Sequence, residues 1–230
     1  MEGGRLGKGE RYLILNLKGY ADSFSEASLR LAGYAREAAI ETGANVIVCP
    51  PEPWIQMVSD AGAVTFAQHA DPYGAGATTG FSSLSMLRAA GATGLLINHS
   101  EHQLRLSEIE FLVEGARREG MVSVLCADTV RTVVAASVLQ PDMVAIEPPE
   151  LIGKGISVSK ARPEVITDSV RAIRKVSGDV VIIAGAGIST PEDVRRAVEL
   201  GAEGALVASA VVKSERQREL VVAMAEALQR

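Results

Sequence analysis

Short runs rich in Val, Ile, Leu and Ala alternate along the chain with longer stretches in which apolar residues return every three or four positions, the period of an amphipathic helix. The runs are Tyr12 to Leu15, Asn45 to Cys49, Val64 to Gln68, Gly94 to Asn98, Val122 to Cys126, Met143 to Glu147, Val180 to Ala184 and Gly204 to Ala208. Each predicts a strand. The helical stretches between them are Ser25 to Thr42, Glu52 to Ala61, Ser82 to Ala90, Ser107 to Glu119, Thr129 to Leu139, Pro163 to Val176, Pro191 to Leu200 and Ser214 to Gln229. Caps support several of these. Ser107-Glu108 and Thr190-Pro191-Glu192-Asp193 open helices, while Gly43, Gly91, Gly120 and Gly201 stand where a left-handed residue ends one.

Strands that are apolar throughout are buried on both faces, and helices between them imply right-handed crossovers joining parallel strands. Eight such units predict an α/β fold, a single-domain (β/α)8 barrel over residues 11–230, somewhat shorter than the typical length of about 250. A doubly wound open sheet is the competing architecture. It would be expected to carry a dinucleotide fingerprint after the first strand, and Asn16-Leu17-Lys18-Gly19 supplies none. Residues 1–10 hold four glycines and no apolar period, so they are expected to form a flexible tail.

Charge narrows the function. The net charge is −5 with acids and bases interleaved, and aromatics make up 4%, which argues against a nucleic-acid partner. No run approaches the roughly 20 apolar residues of a membrane span. The two cysteines, Cys49 and Cys126, both close apolar runs, so buried thiols in a reducing, cytoplasmic compartment are expected. No metal site is visible, because His69, His99 and His102 lack ligands at metal spacing. Gly4 to Gly9 fails the P-loop pattern, and without a signal peptide Asn98-His99-Ser100 is an accidental glycosylation match.

The strongest candidate for chemistry is Glu147. It ends the run Met143 to Ile146 and is followed by Pro148-Pro149 and then by Gly153-Lys154-Gly155, the outline of a strand delivering a carboxylate into a hinged loop. In a barrel the residues after each strand converge on one face. Asn16, Lys18, His99, Glu101 and Glu147 then meet Gly185-Ala186-Gly187 and Ala208-Ser209. A lysine can hold an anion, a histidine can polarise a carbonyl, a glutamate can take a proton from carbon, and glycine turns can bind phosphate through N–H groups. Each has a plainer alternative: a capping acid, a satisfied histidine, a solvated lysine, a tight turn.

Asn16-x-Lys18, Asn98-His99-Ser100-Glu101, and Ile146-Glu147-Pro148 with Ile152-Gly153-Lys154-Gly155, in that order, resemble the signature segments of triosephosphate isomerases. Gly185 to Ile188 and Leu206 to Ser209 are similar to the phosphate loops of the shorter, archaeal-type members. The resemblance implies Glu147 as the proton shuttle, His99 as a neutral electrophile, Lys18 as the cationic partner and Asn16 in the oxygen-binding set. It further implies that Glu101 orients Lys18, that Ile152 and Gly153 close over the phosphate, and that Gly185, Gly187, Ala208 and Ser209 present N–H groups to it. A small phosphorylated triose would be the substrate, in glycolysis and gluconeogenesis, with no cofactor. The segment from His69 to Phe81 resembles the loop that reaches a neighbouring subunit, so a homo-oligomer is expected, dimer or tetramer.

Three positions depart from that pattern. Leu17 stands where many members carry an aromatic residue, and His102-Gln103 replace a common arginine pair. The alternatives are a different phosphate-handling barrel, which would not need the His99 and Glu147 segments together, and a barrel that binds phosphosugars without catalysis.

Overall fold

The computed structural model describes residues 9–148, 151 and 157–229. In chain order the elements are β1 (Tyr12–Asn16), α1 (Glu26–Thr42), β2 (Asn45–Cys49), α2 (Ile55–Asp60), β3 (Val64–Ala67), α3 (Leu84–Ala89), β4 (Gly94–Ile97) and α4 (Leu106–Glu119). The second half holds β5 (Val122–Ala127), α5 (Val130–Val138), β6 (Met143–Ile146), α6 (Val158–Ala161), α7 (Pro163–Val176), β7 (Val181–Ala184), α8 (Pro191–Glu199), β8 (Gly204–Val207), α9 (Ser209–Val212) and α10 (Gln217–Gln229). The strands close in sequence order into a parallel barrel, β8 pairing back onto β1. All eight expected strands form, and their ends shift by at most a residue. The expected tail lies outside the described residues except for Gly9 and Glu10.

Continuous apolar strands resolve in space into two alternating sets. Tyr12, Ile14, Ile47, Phe66, Leu96, Met143, Ile183 and Leu206 pack together as the barrel's filling. Their neighbours, such as Leu13, Val46, Leu95, Val144 and Ile182, face outward against the helices in the larger second core. Period two is present, but both faces are apolar, so sequence alone shows an unbroken run. Gly94 is required by this filling, since a Cβ there would lie 2.6 Å from the Val122 carbonyl oxygen and 2.7 Å from the Phe66 ring.

Helix ends follow local chemistry, with two corrections, one being that α10 starts at Gln217, three residues after the expected Ser214. Gly43 and Gly120 take the left-handed conformation after α1 and α4, with φ of 75° and 68°. Thr190 caps α8 by accepting from the Asp193 N–H, and proline occupies its first turn. Ser107, expected to open α4, lies inside it instead. The helix starts at Leu106 because the Glu108 carboxylate reaches back 2.8 Å to the Arg105 N–H. Among the described residues, no helix is long and apolar enough to cross a membrane.

Candidate active site

The alternation that fills the barrel also builds its mouth. Inward parity continues to the strand ends and just beyond them, from Ile14 to Asn16, Ala145 to Glu147, Ile183 to Gly185 and Leu206 to Ala208. Register then sets neighbours. Ala145 pairs with Ile183 and Ile146 with Ala184, which places Glu147 beside Gly185. A Cβ on Gly185 would stand 2.6 Å from Glu147 Cγ and 2.8 Å from its Oε1. The sheet ladder reaches both residues, for Glu147 N–H donates to the Ala127 carbonyl (2.8 Å) and Gly185 N–H to that of Ile146 (2.9 Å).

Glu147 is buried, and its Oε2 has no hydrogen-bond partner among the described residues. Leaving a buried carboxylate oxygen unpaired is costly, and such atoms concentrate where chemistry requires a free acceptor. His99 Nε2 faces that oxygen at 3.6 Å, too far for a hydrogen bond. On the other side of the ring, Nδ1 accepts the Glu101 N–H at 3.2 Å. That bond requires a lone pair on Nδ1, which leaves the ring proton on Nε2, aimed at the site. Asn98 holds this turn in place. It sits at φ 60°, its Nδ2 donating to the Cys126 carbonyl and its Oδ1 accepting the Leu104 N–H.

Lys18 is also held in the left-handed region, at φ 49°, where a side chain is disfavoured. Two contacts sustain it. Asn16 Oδ1 accepts its N–H at 3.0 Å and Gln68 Nε2 donates to its carbonyl at 3.1 Å. Its ammonium meets Glu101 Oε1 at 2.8 Å.

A cavity of about 440 Å³ opens between these groups. Lys18, His99 and Glu147 line it with Ala186 to Ser189 and Ala208 to Ala210. Gly187 sits at φ 71°, and Ser209 begins α9, whose first N–H groups have no intrahelical acceptor. The remaining expected site residues take other places. Asn16, Glu101 and Gly185 are not among the cavity's lining; the first two brace Lys18, and Gly185 makes room for Glu147. Ile152 and Gly153 lie outside the described residues.

Three placements carry no signal in the sequence: those of Tyr20, Lys213 and Cys126. Tyr20 and Lys213 line the cavity, the Lys213 ammonium 4.8 Å from the centre of the Tyr20 ring. Cys126 lies close beneath Glu147, and burial, then that carboxylate, push its thiol well above the ordinary value. Burial likewise raises Cys49. Both cysteines are free and buried, so neither is a reactive thiolate.

The triosephosphate isomerase family pattern matches residues 11–226. The triosephosphate isomerase of Methanothermobacter thermautotrophicus is 46% identical over 211 residues, covering 91% of this chain and 92% of its own. That of Caldivirga maquilingensis is 42% identical, covering 94% and 96%. The Saccharolobus solfataricus protein of the same name is 43% identical over 210 residues, 91% of this chain and 92% of its own. With the barrel closed and the family pattern running from its first strand into its last helix, the chain belongs to the triosephosphate isomerase family.

Proposed function

We propose that the chain interconverts dihydroxyacetone phosphate and D-glyceraldehyde 3-phosphate by proton transfer through an enediolate. One observation carries the assignment of roles: the unpaired, buried Oε2 of Glu147 shares a cavity with His99 Nε2, 3.6 Å away, and with the Lys18 ammonium. Glu147 takes a proton from one carbon and returns it to the next. The His99 Nε2–H donates to the oxygens on which negative charge develops, and Lys18 offsets that charge. The left-handed turn of Lys18 keeps its ammonium at the mouth in advance of substrate, so little reorganisation is needed.

Gly187 and Ser209 are the supported phosphate ligands, through backbone N–H groups at the ends of β7 and β8. Ala208 precedes Ser209 in the same turn. Ile152 and Gly153 keep the covering role that the resemblance implies, since an enediolate open to water would shed phosphate. For assembly, the loop from His69 to Phe81 supports a homo-oligomer, for it presents Tyr73 and Phe81 with rings 4.4 Å apart and both partly exposed. Light scattering would give the number of subunits. Two free buried thiols support a cytoplasmic location.

The test is turnover of either triose phosphate by the purified chain beside Glu147→Gln, with inorganic phosphate as competitor. Activity falling by several orders of magnitude in the variant, on the order of 10³ or more, is the expected result. No turnover by the wild type would overturn the isomerase reading; phosphate binding without turnover would identify a phosphosugar-binding barrel instead.

A further inference from the structure

Asp193 is one of the few charged side chains buried in the described residues, at 1% exposure, and capping does not account for its contacts. As the third residue of α8 it exchanges bonds with Thr190, accepting the Thr190 N–H at 3.0 Å while its own N–H reaches Thr190 Oγ1. That pair completes a capping box. The same Oδ2 also accepts from the Ser189 N–H at 3.1 Å and the Ser189 hydroxyl at 3.2 Å. Oδ1 meets the Lys160 ammonium at 2.7 Å, and the Asp193 carbonyl accepts from the Ser159 hydroxyl at 3.2 Å.

Lys160 and Ser159 belong to α6, which is tied to the same loop a second time where the Val158 N–H donates to the Ala186 carbonyl at 3.1 Å. The stretch Ala186 to Ser189 is thus pinned at both ends, with Gly187 and Ile188 between the pins and facing the cavity. The Lys160 side chain is itself 56% exposed, and among the described residues its ammonium pairs with the buried Asp193 carboxylate.

We infer that Asp193 is a positioning residue for the phosphate-binding turn, orienting Gly187 through its bonds to Ser189 and locking the turn to α6 through Lys160. This rests on the reading of that turn as a phosphate site. Anion binding by backbone N–H groups depends on their common aim, and misplacement by about 1 Å is enough to lose most of it.

The experiment compares Lys160→Met, Asp193→Asn, the double variant and Thr190→Val, measuring inhibition by inorganic phosphate, KM, kcat and Tm. Lys160→Met is expected to raise the phosphate inhibition constant and KM together by roughly threefold, and Asp193→Asn by roughly tenfold, with kcat within about twofold. In the double variant the two effects do not add, because both act through one carboxylate. Thr190→Val removes the cap, lowering Tm and leaving phosphate inhibition unchanged. If Asp193→Asn and Lys160→Met lower Tm alone, as Thr190→Val does, Asp193 only caps α8 and the inference falls. Should Asp193→Asn fail to fold, Lys160→Met and Ser159→Ala decide the matter by phosphate inhibition. A wild type that neither turns over substrate nor is inhibited by phosphate would instead refute the functional reading itself.

Discussion

Gly185 and Glu147 stand just past the ends of β7 and β6, so close together that a single methyl group on the glycine would overlap the glutamate, at 2.6 Å from Cγ and 2.8 Å from Oε1. Gly185 itself has no left-handed φ, so its need for glycine comes from this approach and not from its backbone. Gly185→Ala is therefore expected to displace Glu147 and lower kcat by about 10²-fold, with phosphate inhibition within about twofold. A rise in the phosphate inhibition constant with kcat unaltered would return Gly185 to the phosphate site.

The Lys18–Glu101 pair is close, at 2.8 Å, but its acid is 55% exposed while the lysine is 12% exposed. Solvent screens such a pair, leaving roughly 0.2–1 kcal/mol. Glu101→Gln is expected to raise KM about twofold to fivefold, an effect that shrinks as salt is added. Lys18→Met removes the cation itself and should cost far more, in kcat as well as KM. Steady-state kinetics at two ionic strengths separates the two.

Lys213 adds a second cation to the cavity rim, resting on the Tyr20 ring at 4.8 Å. Contacts of this kind at exposed sites contribute about 0.5–1 kcal/mol. Lys213→Met should weaken phosphate inhibition by about twofold to fivefold without changing kcat. An unchanged inhibition constant would confine Lys213 to holding Tyr20.

His69 and His102 stack with ring centres 3.8 Å apart, joining the loop after β3 to the one after β4. Burial, then the charge of His102, hold the His69 pKa below its ordinary value of 6.5, against opposing pulls from Asp71 and Glu52. The folded chain thus takes up this proton later than the unfolded one. Stability from this site is intact above the ordinary value and declines as pH falls through it toward the lowered value, with no further loss below. Thermal melts at pH 7.5 and 5.5 should show a larger drop in Tm for the wild type than for His69→Gln; equal drops would remove His69 as the cause.

Much of this was legible in the chain. Eight apolar runs, glycine stops at Gly43 and Gly120, and the placement of Lys18, His99 and Glu147 at strand ends are local or periodic features, and local features survive in sequence. The short helices α6 and α9 were not read, because four residues span barely more than one turn and show no period. Ser107 misled for a related reason: a serine before an acid matches a cap, yet Glu108 bonds back to Arg105 and starts the helix earlier.

By itself the sequence determined the barrel and put Lys18, His99 and Glu147 at its mouth, because burial on both strand faces and helical period between strands admit few other arrangements. Only the tertiary structure decided which of those residues touch. Glu147 meets Gly185 through strand register, Lys213 meets Tyr20 at the cavity rim, and Asp193 gathers Ser189 and the α6 residues Ser159 and Lys160. Such contacts depend on the closure of the sheet and the packing of helices upon it. No local stretch of the chain carries that information.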